Sequence, residues 1–74
     1  MTLTTACDRY LDAHQAAKVA YEEWELLARS DGGCAARERY EARNLAEDRA
    51  YAAMRDLAMA AGYDPIAILL HILP

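Results

Sequence analysis

The stretch Asp64-Pro65-Ile66-Ala67-Ile68-Leu69-Leu70-His71-Ile72-Leu73 decides the architecture of this chain. From Ile66 onward it is apolar at every position but His71, and it holds six of the chain's thirteen Ile, Leu and Val residues. A 74-residue chain cannot leave that much aliphatic surface in water. The segment must cover something or be covered. Asp64 is placed to cap a helix and Pro65 to be its first residue. Tyr63 and Ile68 take the two positions of a hydrophobic staple. A short helix over 65–73 is expected, after a turn at 62–64.

Upstream, the sequence predicts two long helices. Thr5-Ala6-Cys7-Asp8 has capping-box spacing, and nothing breaks a helix from there to Arg29. Ser30-Asp31-Gly32-Gly33 ends it, with Gly32 expected in the left-handed cap and Asp31 or Gly33 capping the next helix. The expected elements are a helix over about 5–29, a loop over 30–33 and a helix over about 34–61 that stops at Gly62. There is no Phe and only one Val, while Ala supplies seventeen residues. Helix formers dominate, so the fold class is all-α. Short connections make the long helices an antiparallel hairpin within one small domain spanning 1–74.

The first helix carries an unbroken 4-3 stripe: Leu3, Cys7, Tyr10, His14, Ala17, Tyr21, Trp24 and Ala28. Val19 and Leu26 fall on its far side. On the second helix Ala35, Ala42, Ala46, Ala50, Ala53, Leu57, Ala60 and Ala61 share a face, flanked by Tyr40, Tyr51, Met54 and Ala58. Arg39, Arg43 and Glu47 lie one turn apart within it. The hairpin register sets Glu22, Glu23 and Glu25 near Arg37, Arg39 and Arg43.

A hairpin needs a third layer, and the C-terminal segment is the candidate. Burying its aliphatic side chains contributes on the order of 9–18 kcal/mol. Ordering the segment costs roughly 8–16 kcal/mol of backbone entropy. The terms nearly cancel, so the segment is ordered only when almost all of it is buried. Ile66, Leu69, Leu70 and Leu73 are expected on the hairpin, leaving Ile68 and Ile72 to point elsewhere. A second copy would cover the remainder, giving a dimeric helical bundle with these segments at its seam. The expected interface is Ile66, Ile68, Leu69, Leu70, Ile72 and Leu73 with Tyr10, Tyr21 and Trp24.

Composition bounds the function classes. The net charge is −4, with 27% charged and 55% apolar residues. An acidic balance argues against nucleic acid or an anionic membrane as partner. The apolar segment is shorter than the roughly 20 residues a bilayer span needs. The N-terminal Met1-Thr2-Leu3-Thr4-Thr5 lacks a signal-peptide pattern, so a soluble cytoplasmic protein is the expectation. Cys7 and Cys34 start different helices of an antiparallel hairpin, too far apart for a bridge, and are expected as free thiols.

No motif carries chemistry. His14 has Lys18, a non-ligand, at the spacing where a metal-binding helix places a second ligand, so it is expected packed and bonded to a tyrosine hydroxyl. His71 is expected at the solvent edge of its short helix; at an interface it would make binding sensitive to pH. Cys34 at a helix N-terminus has no cysteine or histidine near it in sequence to form a nucleophilic set. No enzyme, metal or cofactor is therefore expected. Arg39, Arg43 and Glu47 are the partner-binding candidates, with pairing to Glu22 or Glu25 as the intramolecular alternative.

Three functions stay open on sequence grounds. The first is a non-enzymatic protein–protein interaction module. In size and style, though in no motif, the chain resembles phage or mobile-element accessory proteins that inhibit a host factor by occluding its surface. The second is a binder of a nucleotide-like anion at a dimer cleft lined by Tyr10, His14, Tyr21, Trp24, Arg39 and Arg43. The third is a structural subunit of a larger assembly.

Overall fold

The computed structural model describes residues 1–73. It contains three helices, α1 (Leu3–Leu27), α2 (Gly33–Ala60) and α3 (Pro65–Ile72), and no strand among the described residues. The all-α expectation holds. The two long helices pack along each other, and α3 turns back onto α2. Facing pairs run Tyr10 with Tyr51, His14 with Glu47, Tyr21 with Tyr40 and Glu23 with Arg39. The partner's number on α2 falls as the number on α1 rises. Cys7 and Cys34 are both free.

The ends of the helices depart from expectation in three respects. The capping residue of α1 is Thr2, not Thr5. Its hydroxyl accepts the backbone N–H of Thr5 at 3.2 Å. The earlier start brings Leu3 onto the core, which rewards the extra residues. The helix also ends sooner, at Leu27. The Ser30 N–H and hydroxyl both donate to the Leu27 carbonyl, at 2.9 and 2.8 Å. Gly32 is not left-handed. It has φ −86° and serves as the N-cap of α2 without a side-chain bond. The left-handed glycine is Gly62, at φ +83°. There the Tyr63 N–H reaches Ala58 O at 2.9 Å and the Gly62 N–H reaches Met59 O at 3.1 Å. These two bonds are the Schellman pattern, which stops α2 and aims the chain into α3.

The core centres on Ala6, Tyr10 and Met54, with Met54 fully buried. Most of the predicted α1 stripe is buried or half-buried, and Val19 and Leu26 are exposed. The expected α2 face holds in part. Ala50, Ala53 and Leu57 are half-buried, with Ala50 and Leu57 packed on the core, and the flanking Tyr40, Tyr51, Met54 and Ala58 turn inward with Gly33, Ala36 and Glu47, whereas Ala35, Ala42, Ala46, Ala60 and Ala61 are exposed. Alanine buries little area, so Tyr40, Tyr51 and Met54 choose the face that packs. The resulting body measures 48 × 20 × 15 Å. Its radius of gyration is 14.4 Å, against about 11 Å for a globular chain of this length.

Candidate functional site

α3 is built by local signals. The Asp64 carboxylate accepts the Ile66 N–H at 3.0 Å, and Pro65 takes the first turn, where no N–H is needed. With the Schellman turn behind it, the helix has a fixed start and direction.

Its two sides differ from expectation. Ile68, Leu69, Ile72 and Leu73 pack against the Ala6–Tyr10–Met54 core. Ile66 and Leu70 point outward and are 62% and 79% exposed. Ile68 and Ile72, expected to face away, are thus inside, and Ile66 and Leu70, expected on the hairpin, are outside. Both 66, 69, 70, 73 and 65, 68, 69, 72 have helical spacing, so the direction in which the Gly62 turn and the Asp64 cap start the helix, and not periodicity, selects the second stripe. His71 is exposed, as expected. Met59 and Tyr63, at the same end of the molecule, are exposed apolar side chains as well. Beside α3 an open groove of about 420 Å³ runs between it and α1, walled by Leu3, Cys7, Leu11, Tyr63, Ile68 and Ile72.

The other candidate residues fall on two flanks of the α1–α2 seam. On one flank His14, Lys18, Tyr21, Tyr40, Asn44 and Glu47 line a cavity of about 260 Å³. His14 Nδ1 lies 3.0 Å from Glu47 Oε2, so its partner is a carboxylate and not the expected tyrosine hydroxyl. Its ring stacks on Tyr10 at a centroid distance of 5.9 Å. On the other flank Arg39 and Arg43 line a separate cavity of about 200 Å³ with Ala16, Val19, Ala20 and Glu23. Arg39 pairs with Glu23, and not with Glu22 or Glu25. The Arg39–Arg43–Glu47 line is therefore divided: Arg39 goes to Glu23, Glu47 goes to His14, and Arg43 makes no ion pair among the described residues.

Tyr10 is buried in the core. Trp24 stacks on Tyr40 at 5.6 Å, and Tyr21 meets both edge-on. Lys18, Asn44 and Met59 were not singled out by sequence reasoning. Their surroundings depend on residues distant in the chain, and no local pattern marks them. Burial raises the Cys7 thiol above its ordinary value, with the charge of Asp8 adding to the effect. Burial also raises the Tyr10 phenol, helped by Glu47, Tyr51 and Asp48.

No group of three or more His, Cys, Asp or Glu side chains able to hold a metal occurs among the described residues. No helix among them is long and apolar enough to cross a membrane. No protein-family model matches the chain, nor does any curated protein or solved structure.

Proposed function

We propose that this chain is a small non-enzymatic protein–protein interaction module acting through the outer face of α3. The observation that carries this is the exposure of Ile66 and Leu70, one turn apart on a capped helix. Aliphatic side chains at that spacing are the anchors of helix-in-groove recognition. The reading includes an antiparallel hairpin that doubles into a dimeric bundle with α3 at the seam. It also includes a cytoplasmic setting and an accessory, inhibitory role in which the bound host factor is occluded.

The small-ligand alternative has weaker support. Its cations Arg39 and Arg43 line a different cavity from His14 and Tyr21. Lys18 is the basic residue beside His14. The structural-subunit alternative would use the same α3 face.

The test is affinity capture from the source cell with the intact chain and with Leu70→Asp as baits. A host protein retained by the first and lost by the second supports the reading. Equal capture by both would defeat it, as would a melting-temperature rise with nucleotides and no protein partner.

A further inference from the structure

The groove between α1 and α3, at about 420 Å³, is larger than the two cavities flanking the α1–α2 seam. It falls within the range of about 300–1,000 Å³ that small ligands occupy. Leu3, Cys7, Ile68 and Ile72 wall it, and the same four side chains pack against the Ala6–Tyr10–Met54 cluster. The walls are held from behind, so the groove exists before anything enters it. Its α1 wall runs from Leu3 to Leu11, about 12 Å along the helix.

The walls are apolar and the edge is not. Burial, with the charge of Asp8 adding to it, raises the Cys7 thiol and keeps it neutral, so Cys7 counts with the apolar side chains. The polar groups are the Thr4 hydroxyl, the Asp8 carboxylate and the Tyr63 phenol, all on exposed residues. None of these side-chain oxygens makes a hydrogen bond among the described residues. Asp8 has no ion-pair partner among them, and none of them brings a Lys, Arg or His to the groove wall.

This combination selects the chemistry of an occupant. A hydrocarbon body gains by leaving water for the walls. A primary ammonium carries three N–H donors and no acceptor, and the edge offers three oxygens, one of them ionised. A carboxylate head would meet Asp8 as a like charge. The net charge of −4 adds a field that draws cations and repels anions.

We propose that the groove between α1 and α3 is a binding site for a small lipophilic amine, with its hydrocarbon body against Cys7, Ile68 and Ile72 and its ammonium on Asp8, Thr4 and Tyr63. Ile66 and Leu70 are not on its walls, so the site is separate from the outer face of α3.

Cys7 supplies the reporter. Cys34→Ser leaves it as the single thiol of the chain, since there are two cysteines. Octylamine at pH 7 should protect Cys7 from alkylation by iodoacetamide, saturably and with the helical circular dichroism unchanged. Lengthening the amine should tighten binding about fourfold for each methylene added, until the groove is full. Octanol should bind roughly fivefold more weakly than octylamine, and octanoate more weakly again. Asp8→Asn should bring octylamine and octanol level. Calorimetric titration reads the same ranking should Cys7 alkylate too slowly to follow. Absence of octylamine binding overturns the proposal. So does octanol or octanoate binding as well as the amine, or an amine preference that survives Asp8→Asn. Leu70→Asp should leave octylamine binding unchanged, and a loss there would place the amine on the outer face of α3 and overturn the groove assignment.

Discussion

His14 Nδ1 meets Glu47 Oε2 at 3.0 Å, joining the middle of α1 to the middle of α2 across a half-buried seam. The Arg39–Glu23 pair also crosses between these helices, but with both side chains about half exposed. The two pairs have different worth for that reason. Water competes for an exposed ion pair, and long side chains lose entropy in holding it. A partly buried bond loses less to water.

The expected consequence is a contrast between two double-mutant cycles. Replacing His14 and Glu47 by Ala, singly and together, should give a coupling of about 0.5–1.5 kcal/mol at neutral pH. The Arg39 and Glu23 cycle should give about 0–1 kcal/mol, shrinking with added salt. Urea denaturation measures both. A larger, salt-sensitive coupling for Arg39 would reverse the assignment.

Stability should also decline in alkali. The Cys7 thiol is raised above its ordinary 9.0 and the Tyr10 phenol above its ordinary 10.0. Both groups are neutral when protonated. As pH rises, the unfolded chain releases these protons first, so the native state binds more of them and loses ground. The contribution is fully present below the ordinary values and disappears as pH climbs through the raised ones. Melting temperature should therefore fall from about pH 9 upward, and Tyr10→Phe should flatten the part of the fall above about pH 10. A Tyr10→Phe profile that falls as steeply as the parent would contradict the burial of this phenol.

The signals that were legible in the sequence are local ones. Gly62, Asp64 and Pro65 each act within a few residues, through a left-handed turn, a carboxylate cap and a ring that needs no N–H donor. The rest depended on partners distant in the chain. The α2 face was placed only in part, with Ala50 and Leu57 on the core and Ala35, Ala42 and Ala46 outside it, because its alanines are many and light, while Tyr51 and Met54 are few and heavy. α3 was turned the wrong way because an almost uniformly aliphatic segment has no periodicity to read, so nothing nearby distinguishes Leu69 from Leu70. The partner of His14 sits 33 residues away and answers to no local pattern.

Adjacent glycines in the α1–α2 loop should respond in opposite senses. A Cβ on Gly33 would lie 2.7 Å from the Leu27 carbonyl oxygen, a contact side chains do not tolerate. A Cβ on Gly32 would meet nothing nearer than 3.5 Å, and its backbone is right-handed. Gly33→Ala should cost about 1–3 kcal/mol by forcing the loop off the helix end. Gly32→Ala should be neutral or gain up to about 1 kcal/mol by restricting the unfolded chain. In a domain of this size each kcal/mol moves the melting temperature by roughly 4–8 °C. Equal melting temperatures for the two variants would show that the close approach at Gly33 does not hold.

Two neighbouring leucines should likewise part company. Leu69 packs on the core and Leu70 is 79% exposed. Leu69→Asp puts a carboxylate where no donor waits, at a cost of several kcal/mol. Loss of the cooperative thermal transition is the expected outcome. Leu70→Asp should keep the helical signal and the cooperative melt of the folded chain. Unfolding by both variants would mean that α3 is seated the other way round.

Removing α3 altogether tests whether the packed pair of α1 and α2 can stand alone. Met54 is fully buried and is the largest side chain in that state among the described residues. The Ala6–Tyr10–Met54 cluster has Ile68, Leu69, Ile72 and Leu73 as part of its cover. Ending the chain at Pro65 strips that cover and leaves two alanine-lined helices with little apolar area to bury. A domain this small has a total stability in the region of 5 kcal/mol, so losing these contacts should exceed what remains. The truncated chain should show a broad, non-cooperative melt by circular dichroism and bind a hydrophobic dye at neutral pH. An unchanged transition midpoint would mean that the core is complete without α3.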